Sequence, residues 1–165
     1  MKQMFRVLIW AFFLIGCTID DHKDSPDPDE SNLIKVGDHI PSFSVDVITE
    51  EGTSVFSTER LTGKTVIVFF HTTCSDCQRE LPELNDYYLA HRDEPGFQMV
   101  AIARDEAQES IEAFWQEHHL SIPYSPQKDR RIFNLFATQT IPRVYICSTE
   151  GIVLWMGVEN FTIDN

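Results

Sequence analysis

Basic residues are scarce in this chain. Lys and Arg number 13 against 26 Asp and Glu in 165 residues, a formal charge of −13. No basic run builds the cationic face that a nucleic-acid binder needs, so that class is excluded. Long hydrophobic runs are missing too. The longest, Val7 to Ile15, holds nine residues and is too short to span a bilayer as a stable helix. Four cysteines are too few for a small disulfide-stapled scaffold. A structural zinc site lacks its second half, because there is one C-x-x-C and the adjacent His118 and His119 would point about 100° apart on a helix. No internal repeat is visible. What remains is a chain 42% apolar and 24% charged, enough for one domain with a core.

The nine-residue run follows Lys2 and Arg6, the arrangement of a secretory signal. It closes in Leu14-Ile15-Gly16-Cys17, which resembles the bacterial lipobox: a small residue at the cut, then a thiol able to take a thioether-linked lipid. Residues 1–16 are therefore expected to be a lipoprotein signal peptide, with Cys17 the lipid attachment residue. That places the protein in the bacterial cell envelope, lipid-anchored and extracytoplasmic, facing the periplasm or the outer membrane. Cleavage would remove two cations and no acid, so attachment would rest on acyl chains and not on charge. Residues 17–32 hold six acids, one Lys and two prolines, and read as an extended acidic tether.

Residues 33–165 read as one domain. Alternation over Phe43–Ile48, a Glu-Glu-Gly turn and Thr53–Phe56 predict a hairpin. Thr65–Phe70 is apolar on both faces, as in a central strand. A helix follows over 75–91, with Leu81, Leu84, Tyr88 and Leu89 inward and a bend at Pro82. Then come a strand at 97–103, a helix at 106–119 with Ile111, Phe114 and Trp115 inward, and a short helix at 129–136. Strands at 141–147 and 152–156 form an antiparallel hairpin. This order predicts an α/β fold, a mixed sheet with helices on both faces.

The chemistry centres on Cys74-Ser-Asp-Cys77, at the junction of the buried strand and its helix. A thiol at a helix N-terminus meets unpaired N–H groups and the positive end of the dipole, which stabilise a thiolate. A second thiol one turn further in can attack a mixed disulfide formed by the first. Cys74 is thus expected to be the exposed nucleophile and Cys77 the buried resolving thiol.

Val66 to Pro82 resembles the active-site segment of TlpA/ResA-type thiol–disulfide oxidoreductases of the thioredoxin fold. So do Gly37, Pro41 and Phe43, Leu61–Lys64, and the late Thr140-Ile-Pro-Arg-Val144. The match runs from about residue 36 to 158. It implies a thioredoxin-like fold with an N-terminal hairpin extension and a cis peptide before Pro142. Ile141 and Pro142 would hold substrate as an added strand, and Glu106 would be an acid that exchanges a proton with Cys77. No cofactor is implied. The partners implied are cysteine-containing exported proteins, with a membrane thiol donor to restore the pair.

The chain departs from that family at Thr73, where it usually has Trp, and at Asp76, where it often has Pro. Asp76 is expected to oppose thiolate formation and to favour a reductant. Only eight residues follow Gly157, so the family's C-terminal helix is short or missing and an apolar face is left for a partner, unless the sequence continues. Cys147, in an apolar strand, reads as core. Two further chemistries are weighed here. His71, Cys74 and Cys77 recur every three residues and would suit Cu(I), so a thioredoxin-fold copper chaperone stands as the alternative. A peroxide pocket would need Thr or Ser at position 71 and Pro at 67, where His71 and Ile67 stand.

Overall fold

Thr65–Phe70 has no face that tolerates water, and the fold gives it none: all six residues are buried at the middle of a seven-stranded sheet. The computed structural model describes residues 30–159 and 161. The expected signal peptide, Cys17 and nearly all of the tether lie outside them. Ser31 and Asn32, assigned above to the tether, are already built into the domain: Thr138 N donates to Ser31 O, and Asn32 bridges to Ala137.

The sheet comprises β1 (Ser44–Thr49), β2 (Gly52–Ser57), β3 (Thr65–Phe70), β4 (Gln98–Ala103), β5 (Tyr124–Ser125), β6 (Arg143–Cys147) and β7 (Val153–Val158), in the order β2-β1-β5-β4-β3-β6-β7. β3 and β4 run parallel in register, Thr65 beside Gln98 through Phe70 beside Ala103. β6 lies antiparallel on the other side of β3. The two hairpins form as their alternation and turns require, with Gly52 at φ 128°. The two-residue β5, too short to show a pattern, joins the first hairpin to the rest.

Helices α1 (Ser75–His91) and α2 (Gln108–Glu117) connect β3, β4 and β5. Those strands step in one direction across the sheet, so two right-handed crossovers put both helices on one face. Asn85 of α1 accepts from Ser121 N just past α2, at 2.7 Å, and Trp115 of α2 packs on Phe70 with ring centroids 5.0 Å apart. Phe69 points the other way and meets Phe133, Phe136 and Tyr145.

The helix expected over 129–136 on that second face shrinks to a 3-10 turn, Phe133–Leu135. Asp129 accepts from Arg131 N at 2.9 Å, the bond of a helix N-cap, yet only this single turn follows. In α1 the inward stripe is Cys77, Glu80, Leu81, Leu84 and Asn85; Tyr88 is half-buried and Leu89 is 40% exposed. Leu89 sits about 80° round the axis from Leu81, off the stripe. The helix runs through Pro82 without interruption. Past β7, Phe161 is buried against Tyr87 and Trp155. Among the described residues no helix is long and apolar enough to cross a membrane.

Candidate active site

The β3 chain leaves the sheet at Phe70 and turns through His71–Thr73 into α1. Cys74 is the N-cap, extended at φ −80° and ψ 120°, and its side chain makes no capping bond. Its carbonyl accepts from Gln78 N at 2.9 Å, opening the helix. The thiol is therefore left free at the positive end of the helix. It is partly exposed and donates to Ile141 O at 3.5 Å. The Ile141–Pro142 bond is cis.

Cys77 is fully buried one turn further in. Burial pushes its thiol far above the ordinary range, and its contact with Cys74 adds to that, so at neutral pH it is protonated. Both cysteines are unbonded thiols. The fold thus sets Cys74 against Cys77 on one side and against the Ile141–Pro142 peptide on the other.

Glu106 stands next to Cys74's loop and holds it. Its buried carboxylate accepts from Thr72 N at 2.9 Å and from the Thr72 hydroxyl, and lies 3.6 Å from His71 Nδ1. Asp105, at φ 64°, reverses the chain before it, so Asp105 is exposed while Glu106 turns inward. The expected helix start at 106 accordingly moves to Gln108. None of these bonds runs to Cys77.

Two functional groups went unread in the sequence. Glu80 is buried three residues past Cys77, on the same helical stripe. Burial raises its carboxyl above the usual range, and its Oε1 accepts no hydrogen bond, having only an ion pair with Arg79 at 3.5 Å. An acid at an inward helical position was the available signal. Arg143 directly follows Pro142 and has no exposed surface. Its guanidinium donates to Gln139 O, Thr140 O, Asn32 and Ser31, so it bolts the loop before Pro142 to the start of the domain.

Asp76, between the two cysteines, lies on the helix surface. Arg79 pairs with it at 2.7 Å, drawing its charge along the helix surface. His71 Nδ1 is taken up by Glu106 and Thr73, and among the described residues no group of three His, Cys, Asp or Glu is placed to hold a metal ion. The copper alternative gains no support from this geometry. Cys147 is buried in β6, its thiol pushed up to about 12 by burial, as core packing requires.

Residues 36–156 match the AhpC/TSA family model. The chain is 29% identical over 125 residues to the thiol-disulfide oxidoreductase ResA of Oceanobacillus iheyensis. That match takes in 74% of this chain and 65%, just under two thirds, of the relative. A candidate protein disulfide isomerase from Bacteroides thetaiotaomicron superposes with a TM-score of 0.72 at 22% identity, covering 78% of this chain and 82% of that one. The thioredoxin domain of a thiol-disulfide oxidoreductase from Bacteroides vulgatus gives 0.64 at 20% identity, covering 76% and 89%. The fold is thioredoxin-like.

Proposed function

This chain belongs to the AhpC/TSA family, and with that as the premise we propose that it is a thiol–disulfide oxidoreductase that reduces protein disulfides through Cys74 and Cys77. One observation carries the reading. A partly exposed thiol caps a helix beside the carbonyl of Ile141, while its partner thiol lies fully buried one turn beneath.

Cys74, as thiolate, attacks one sulfur of a substrate disulfide; that S–S bond breaks and the leaving thiolate takes a proton. Cys77 then loses its proton and attacks Cys74 Sγ, releasing the second substrate thiol and leaving a Cys74–Cys77 disulfide. Two electrons pass to the substrate, and a dithiol donor later returns them. Glu80, buried and raised in pKa beside Cys77, is the group placed to take that proton. Glu106 acts through Thr72 to hold the loop. Ile141 and Pro142 present backbone to an extended substrate strand. The high pKa of Cys77 gives the reduced pair little thiolate stabilisation, which favours a reductant.

The substrates we propose are cysteine-containing exported proteins, with a membrane thiol donor and a lipid anchor at Cys17. Support for the anchor is the run Val7–Ile15 followed by Gly16-Cys17. Insulin reduction tests the chemistry: Cys74→Ser abolishes it, and Cys77→Ser accumulates a mixed disulfide visible on a non-reducing gel. Retained reduction in Cys74→Ser would overturn the mechanism. For the anchor, Cys17→Ser shifts the protein from the membrane to the soluble fraction.

A further inference from the structure

In a chain that carries twice as many acids as bases, two guanidinium groups gather at the thiol end of the sheet. Arg104 follows β4 directly, and its backbone N–H donates to Phe70 O at 2.8 Å, at the point where β3 turns toward Cys74. Arg130 donates from Nη2 to Thr138 O at 3.0 Å, in the loop that leads to Ile141 and Pro142. Both guanidinium carbons lie 5.3 Å from the centre of the same ring, that of the buried Phe133. Such stacking holds two side chains with many rotamers in one place.

Among the described residues no carboxylate forms an ion pair with Arg104 or Arg130, and four acids of the neighbouring loops and helix are engaged elsewhere or exposed. Asp129 pairs with Arg131 at 2.7 Å, Asp76 with Arg79, and Glu106 is taken up by Thr72 and His71; Asp105 is exposed. Two like charges held on one ring repel one another. Burial, and then the field of Arg130, lower the pKa of Arg104, while the Cys74 and Cys77 sulfurs pull the other way. A carboxylate bound at this pair of charges would relieve that repulsion through charge-assisted hydrogen bonds.

We infer that Arg104 and Arg130 form a carboxylate-binding subsite beside Cys74, which selects polypeptide disulfides with an acidic residue next to the cysteine under attack. The inference rests on the oxidoreductase reading above. A substrate strand lying along Ile141 passes the loop gripped by Arg130, and a Glu or Asp side chain on it meets the exposed guanidinium of Arg130. The same contact orients the disulfide sulfur toward Cys74. Complementary charge at this spot gives selectivity as well as faster encounter.

The test uses the full-length protein in detergent and three disulfide-cyclised peptides that differ only in Glu, Gln or Lys beside the first cysteine. The expected result is a kcat/KM about ten-fold higher for the Glu peptide than for the Gln peptide, and lowest for the Lys peptide. In Arg130→Gln, an exposed position, and in Arg104→Gln, the Glu-to-Gln ratio falls below about two. The ratio is read within one protein, so a change in overall folding or activity does not imitate it. Brisk reduction of all three peptides at equal rates by the unmodified protein overturns the subsite and leaves the oxidoreductase reading standing. An undiminished ratio in both variants also overturns it. Reduction of none of the peptides overturns both.

Discussion

Arg143 reaches back to the carbonyl oxygen of Thr140 with its Nε, at 2.8 Å, from a side chain without exposed surface. Thr140 is held at φ 63°, a backbone conformation that non-glycine residues seldom adopt. The bond, with its companion to Gln139 O, shapes the loop that sets Ile141 O against Cys74. Arg143→Met removes the donor to four oxygens of a partly buried network and costs about 3 kcal/mol. A urea titration measures the loss. On the proposed docking of substrate along this loop, KM for a disulfide peptide rises more than kcat falls.

Glu80→Gln separates stability from chemistry. The carboxyl's folded value lies above its ordinary 4.5, so the folded state binds the proton more tightly than the unfolded chain. Stability is therefore lost as pH rises through that raised value. The Gln variant is more stable than the natural protein at pH 7.5, and the gap closes below pH 4.5, read from urea midpoints at the two pH values. Its turnover at neutral pH falls on the order of 100-fold, if Glu80 takes the Cys77 proton.

Glu106→Ala leaves the buried Thr72 N–H and hydroxyl without their acceptor. The expected cost is about 2 kcal/mol, with the loop before Cys74 loosened. Activity falls while the pH optimum stays in place, since Glu106 makes no bond to either thiol. A displaced pH–rate profile would instead assign it the proton.

Alkylation follows exposure. Iodoacetamide labels Cys74 in the native reduced protein and spares Cys77 and Cys147, which are buried with raised pKa values. All three react once the chain is unfolded. Peptide mass mapping distinguishes them, and native labelling of Cys77 would contradict the burial on which its proposed resolving role rests.

Gly96 has φ 80°, and a Cβ there would lie 2.4 Å from Thr62 O. Thr62 also donates its hydroxyl to Gly96 O at 3.1 Å, which brings these two turns together at the start of β3 and β4. Gly96→Ala breaks this contact and costs about 2 to 3 kcal/mol. The melting temperature reads the loss, while the alkylation pattern of Cys74, at the opposite end of β3, is unchanged.

Much of this architecture was legible because it is local. Thr65–Phe70 has no polar alternation and therefore became the central strand, and the helix over 75–91 has the predicted ends. Cys74 and Cys77 were readable from their spacing, since a helix turn decides which thiol caps and which is buried. The short helix at 129–136 was misread. Its Phe133 and Phe136 have helical spacing and both are buried, yet one 3-10 turn is enough to bring both rings onto Phe69.

The sequence by itself determined the reactive pair, the strand that positions it and the acidity of the chain, all of which rest on neighbours within a few turns. Tertiary structure decided the electrostatics around that pair. It buried Glu80 beside Cys77, turned Glu106 onto Thr72, gave Asp76 to Arg79, and stacked Arg104 and Arg130 on one ring. Charge in a folded protein depends on burial and on partners more than a hundred residues away, as with Arg143 and Asn32. Those distances exist only once the sheet has closed.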